Sequence, residues 1–136
     1  MRGSTVQLEF IGKPPAIDGK TCEGLICEGA EFEGNSLATA NVTYLKFEGD
    51  WHRLCFDVGT VHWRTGSTQP EPWAILEEGW NYPQVDVGRA FGLIGVRLKS
   101  SRTLATERGA NVFFEFENGR KVLIENADDS TSYRVV

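Results

Sequence analysis

Three cysteines and two histidines have the widest chemical reach in this chain. Cys22, Cys27, Cys55, His52 and His62 offer thiolate and imidazole, the donors that hold zinc. Their spacing does not assemble a site. Four residues separate Cys22 from Cys27, and neither histidine has a second ligand at a metal-binding interval. On a strand, His52 and Cys55 point to opposite faces, because an offset of three breaks the period of two. No metal and no cofactor is expected. A cysteine nucleophile needs a base within hydrogen-bond reach. Cys55 meets His62 only if neighbouring strands register the two together, while His52 reads as a core or rim histidine.

The carboxylates are as ordinary. Glu115 and Glu117 flank a strand end, where Glu117 is expected opposite Arg120 as a cross-strand ion pair. Asp128 and Asp129 are turn residues. The glycines of 24–34 precede no helix, and the glutamates among them repel phosphate, so there is no phosphate-binding loop. No catalytic residue is assigned, and an enzyme ranks third among the functions considered.

Tryptophan and glutamate say more. Trp51, Trp63, Trp73 and Trp80 supply large rigid contact surfaces in a small chain. Trp63 is expected in the core. Trp73 and Trp80 lie with Tyr82 in an irregular Pro/Gly-rich stretch, 65–90, and long irregular loops inside domains often carry function. Glu23, Glu28, Glu31 and Glu33 recur beside Gly24, Gly29 and Gly34, either as a solvated edge that blocks strand pairing or as a surface that steers a basic partner. The candidate partner- or ligand-binding residues are Trp73, Trp80, Tyr82, Glu28, Glu31, Glu33 and Trp51.

The elements that must position these residues are strands. Residues 41–47 and 51–56 alternate about Glu48, Gly49 and Asp50, and residues 111–116 and 120–124 alternate about Asn118 and Gly119. Both are β-hairpin patterns. A two-residue Gly49-Asp50 turn sets Phe47 opposite His52 and Leu45 opposite Leu54. The inner faces are then Leu45, Phe47, Leu54 and Phe56 in one hairpin, and Phe114, Phe116 and Leu123 in the other. Residues 61–64 add a third strand to make a meander. Residues 6–10 read as an opening strand, 18–34 as two short twisted strands, 93–98 as a strand and 131–135 as the last one. Pro72 and Gly79 frame one or two helical turns. Likeness between the hairpins is confined to a dozen residues that any alternating hairpin would share, so it does not indicate duplication. The expected fold is mainly β, a single domain over 1–136: an antiparallel sandwich or partly open barrel of hairpins and meanders, with at most one short helix near 72–79.

At 136 residues, 40% hydrophobic and 24% charged, the chain suits one soluble domain with one core. A net charge of -5 and a pI near 5.0 argue against nucleic-acid binding, which needs a basic face. No apolar run approaches a membrane span. The first five residues carry no apolar core or cleavage site, so no secretory signal is expected. Three cysteines are too few for a disulfide scaffold and fit reduced thiols in a cytoplasm. Composition leaves the oligomeric state open.

The run Leu-Lys-Phe-Glu-Gly-Asp-Trp-His-Arg-Leu-Cys-Phe-Asp at 45–57, with Gly59, Thr60, Val61, His62, Trp63 and Arg64 after it, resembles small uncharacterised bacterial proteins. So does the closing pattern from Phe114 to Gly119 and from Leu123 to Asp129. Small acidic proteins of this kind include the immunity partners of bacterial polymorphic toxins. The resemblance implies a cytoplasmic, non-catalytic binder that blocks a toxin domain, and it transfers no site residue. Two functions follow: a protein-binding module acting through acidic and aromatic surface residues on a basic protein partner, or a small-molecule-binding β-barrel with a tryptophan-lined cavity.

Overall fold

The computed structural model describes residues 8–136, and among them twelve strands form two sheets. The larger sheet runs, from one edge to the other, β1 (Glu9–Ile11), β5 (Thr60–Ser67), β4 (Asp50–Asp57), β3 (Asn35–Phe47), β2 (Cys22–Phe32), β7 (Trp80–Tyr82) and β6 (Trp73–Ile75). A further strand, β8 (Gln84–Asp86), also pairs with β2. The smaller sheet runs β12 (Ser130–Val135), β11 (Lys121–Ala127), β10 (Gly109–Phe116) and β9 (Leu98–Thr106). Pairing is antiparallel except for β1, which lies parallel to β5. The architecture is the expected mainly-β sandwich, and the sheets do not close into a barrel.

Alternation produces the core. Along β10, Ala110, Val112, Phe114 and Phe116 are buried while the residues between them are half-exposed. They meet Leu25, Cys27, Leu45, Phe47, Leu54, Val61 and Trp63 from the larger sheet in one hydrophobic cluster. Burying each such aliphatic or aromatic side chain stabilises the fold by about 1.5–3 kcal/mol. At one margin β12 is tied to β3, where Tyr133 N donates to Thr39 Oγ1 at 3.3 Å and Ser130 Oγ donates to Leu37 O at 2.7 Å.

Several elements differ from the sequence-based expectation. The opening strand begins at Glu9, and Val6 and Gln7 lie outside the described residues. Residues 18–34 hold one long strand, β2, because bulges around Gly24 and Gly29 absorb the irregularity that suggested two. The expected helix near 72–79 shrinks to a single 3-10 turn, Leu76–Glu78, that Gly79 closes at φ 80°. The residues before it are drawn into strand pairing, Trp73 with Tyr82 and Ile75 with Trp80, as aromatic and β-branched side chains favour. One unexpected helical turn, α1 (Val87–Ala90), is capped by Asp86, whose carboxylate accepts from Arg89 N at 3.0 Å. The strand expected at 93–98 is displaced to β9, since Gly92 and Gly95 at φ 67° and 84° break the run into turns.

Both hairpins form, with registers other than expected. In β3–β4 the turn is Glu48 and Gly49, which sets Phe47 opposite Asp50 and Leu45 opposite His52. Leu45, Phe47 and Leu54 still face the core, and Phe56 packs against it half-buried. In β10–β11 the loop has three residues, Glu117 to Gly119, so Glu115 pairs with Lys121 and Phe114 with Val122. Val122 and Ile124 therefore fill the core and Leu123 points outward. Glu117 is not opposite Arg120; its backbone N–H donates to Arg97 O at 2.9 Å.

Candidate functional site

The Trp73–Tyr82 stretch, irregular in sequence, is a short hairpin on the edge of the larger sheet. Gly79 takes the left-handed conformation that ends the 3-10 turn, and Glu33 N donates to Gly79 O at 2.8 Å. This ties the hairpin tip to the β2–β3 turn. Register then places Phe32 beside Trp80 and Trp73 beside Tyr82 on one face. The rings form a ladder. Trp73 stacks on Tyr82 at 3.9 Å and 13°, Trp80 lies nearly parallel to Tyr82 at 6.1 Å and 9°, and Phe32 leans on Trp80 at 4.8 Å and 51°. Such pairs each contribute about 0.5–1.5 kcal/mol beyond area burial. The ladder is half-buried rather than covered, with Trp73 48% exposed and Leu76 at the tip 82% exposed.

Carboxylates surround it. Glu31 Oε1 accepts from Asn81 Nδ2 at 3.2 Å on the opposite face of the hairpin, and Glu33 stands beside Gly79 at the tip. Glu77 and Glu78 are exposed in the 3-10 turn. The segments that build this end, 21–45 and 65–88, contain four carboxylates each and no lysine or arginine. A groove of about 510 Å³ continues from Glu31 and Pro83 toward β12, walled by Val85, Tyr133 and Val135. Val85 is 42% exposed there. The result is an acidic, aromatic edge with an apolar groove at its foot.

Five of the seven candidate residues belong to this edge: Trp73, Trp80, Tyr82, Glu31 and Glu33. Two do not. Glu28 is buried, with its carboxylate accepting from Gln84 Nε2 at 3.3 Å, because β8 covers that part of β2. Trp51 lies on the outer face of the larger sheet against Gly24, where an added Cβ would come within 2.7 Å of the indole. Lys46 Nζ is 5.9 Å from its ring centroid. Phe32, a rung of the ladder, was missed. Its place in the Glu-rich segment is plain in the sequence, but its position across from Trp80 follows only from the pairing of β2 with β7.

The cysteines are dispersed. Cys22 and Cys27 are in the core, and burial pushes their thiols up to about 11 and about 12. Cys55 is half-exposed on the outer face, directly across from His62, so the register that a cysteine–histidine pair requires is present. Burial nevertheless raises the Cys55 thiol, against the opposing pull of Arg53, and no hydrogen bond joins Cys55 to His62 among the described residues. His52 lies on the inner face, its Nδ1 2.8 Å from Thr65 Oγ1. Among the described residues no group of three or more potential ligands could hold a metal ion, and no helix is long and apolar enough to cross a membrane.

No family model matches this chain, and neither a curated protein nor a solved structure is significantly similar to it.

Proposed function

We propose that this protein is a non-catalytic protein-binding module, acting in the cytoplasm, that docks a basic partner on the acidic, aromatic edge of its larger sheet. The observation that carries this is the half-exposed ladder Phe32–Trp80–Tyr82–Trp73 set among Glu31, Glu33, Glu77 and Glu78. Rigid aromatic rings are the side chains that most often dominate interface energetics, and a uniformly acidic surround steers an oppositely charged surface. An immunity-type inhibitor that occludes a basic toxin domain is the specific form of this function. The product of the neighbouring gene is the probe. Co-expression and titration should give a stoichiometric complex that weakens as salt rises, and Trp73→Ala with Tyr82→Ala should weaken it by about 2 kcal/mol or more, the hot-spot scale. A complex indifferent to both salt and the double substitution sinks the assignment of this edge.

Small-molecule binding is the second function, favoured by one feature. A cleft of about 270 Å³ opens between the sheets, lined by Phe10, Pro15, Ile17, Trp63, Val112 and Phe114. Trp63 Nε1 is buried without an acceptor. It is the one tryptophan lining this cleft, so an apolar ligand with a single hydrogen-bond acceptor would be recognised here and not in a tryptophan-lined barrel.

A further inference from the structure

The outer face of β4 and β5 carries a second surface of opposite character. On β4, Arg53 and Cys55 alternate with the buried His52 and Leu54, and on β5, His62 and Arg64 alternate with the buried Val61 and Trp63. The register sets Arg53 opposite Arg64 and Cys55 opposite His62. All four line one small cleft of about 100 Å³, with Ile11 of β1 closing its far side opposite His62.

Like charges directly across a sheet destabilise it unless something intervenes. Among the described residues, neither Arg53 nor Arg64 lies within ion-pair distance of a carboxylate. On its other side Arg53 faces Tyr44, whose side chain hydrogen-bonds its guanidinium, yet its Nε is shielded from solvent and has no acceptor. Glu28 is engaged by Gln84, and Asp57 stands one row beyond Cys55 near the strand end.

We propose that this cleft binds a tetrahedral oxyanion, a phosphate or sulfate group, held between Arg53 and Arg64 with His62 beside it. The guanidinium groups that line the cleft can donate through their Nη atoms to separate oxygens of such an ion, so one ligand would relieve the facing charges. The cleft admits a single small ion or the terminal group of an ester, and is far smaller than the 300–1,000 Å³ typical of sites that enclose drug-sized ligands. Neither Arg53 nor Arg64 belongs to the acidic edge, so the two sites are independent.

Cys55 is a built-in reporter, because Cys22 and Cys27 are fully buried and it alone of the three thiols is reached by solvent. The test is the rate at which iodoacetamide, a neutral reagent, labels Cys55 in the folded protein as inorganic phosphate is titrated in. Phosphate should slow labelling several-fold with a saturating dependence, and chloride at matched ionic strength should not. In Arg64→Gln the thiol should still label, without phosphate protection. Methyl phosphate separates the sources: protection equal to that by phosphate marks a cleft open to an ester-borne group, and protection by phosphate alone marks a free-ion site. Labelling that ignores phosphate, that chloride slows equally, or that saturates unchanged in Arg64→Gln overturns the proposal. Phosphate-dependent rise of the melting temperature, expected in the wild type and lost in Arg64→Gln, reads the same site without the thiol.

Discussion

The hairpins β3–β4 and β10–β11 share a plan, each with a Phe-Glu pair before a glycine-containing turn, but their loops differ by one residue. In β3–β4 two residues suffice. Glu48 and Gly49 are both at positive φ, 49° and 80°, which matches the mirror-image turn whose twist suits paired strands. Glu23 Oε1 accepts from Gly49 N at 2.9 Å and fastens that turn to β2. In β10–β11 three residues are used. Gly119, at φ 88°, donates to Phe116 O at 3.0 Å, and Asn118 Oδ1 accepts from Arg120 N at 3.0 Å. Because side chains alternate, one residue more in a loop turns the whole returning strand over. The backbone at two or three turn residues thus decides which side chains of β4 and β11 reach the core, and which remain outside to form surfaces such as that of Arg53 and Cys55.

The largest expected effect tests that face assignment in β11. Ile124 is fully buried and Leu123 is half-exposed, one position apart. Ile124→Ala should cost about 2–5 kcal/mol in urea unfolding, the range for truncating a buried aliphatic residue, and Leu123→Ala under about 1 kcal/mol. Equal costs would mean that the three-residue loop is not the one the protein uses.

A smaller effect compares the two turns themselves. A Cβ on Gly49 or on Gly119 meets no atom within 4 Å, so substitution there adds backbone strain and no clash. Alanine at either position should cost about 1–2 kcal/mol, and asparagine, which tolerates positive φ better, should recover part of it. If Gly49→Ala were harmless while Gly119→Ala was costly, the Glu48–Gly49 turn would be replaceable and the β3–β4 register would rest on its core contacts alone.

These particulars show what was legible in the sequence. Alternation at 41–56 and 111–124 revealed both hairpins and the sandwich class, because period-two burial is a local property. Register was not legible, since Gly49-Asp50 and Glu48-Gly49 read equally well as turns. Misplacing the first turn shifts the pairing by two and keeps Leu45 and Leu54 inside, whereas misplacing the second shifts it by one and exchanges Leu123 for Val122 and Ile124. The candidate edge was half legible. Trp73, Trp80 and Tyr82 stood out by type and loop context, but Phe32 joins them only through the β2–β7 pairing. Glu28 looked like its neighbours in the Glu-rich run, and only the strand β8 shows that it is buried. Arg53 and Arg64, eleven residues apart, had no sequence signal at all, because cross-strand juxtaposition is a property of register.

The smallest effect separates the hairpins by pH. The inner face of β3–β4 includes a titratable group, His52, opposite Leu45 and 7% exposed. Burial holds its imidazole below the ordinary value of 6.5, with Lys20 acting in the same direction and Asp50 against it. The folded protein therefore favours neutral His52, while the unfolded chain takes up a proton near pH 6.5. The contribution is complete above that pH and is lost as pH falls from 6.5 through the folded value, with a slope of at most about 1.4 kcal/mol per pH unit for one proton. The buried polar group of β10–β11 is Asn126, whose Nδ2 donates to Thr131 Oγ1 at 3.0 Å and which does not titrate. Urea midpoints measured from about pH 8 down to about pH 5 should accordingly show the wild type losing stability relative to His52→Gln, which retains hydrogen-bonding capacity toward Thr65. Asn126→Ser should leave the pH slope unchanged. Identical slopes for wild type and His52→Gln would place the histidine in water and reverse the inward assignment of that side of β4.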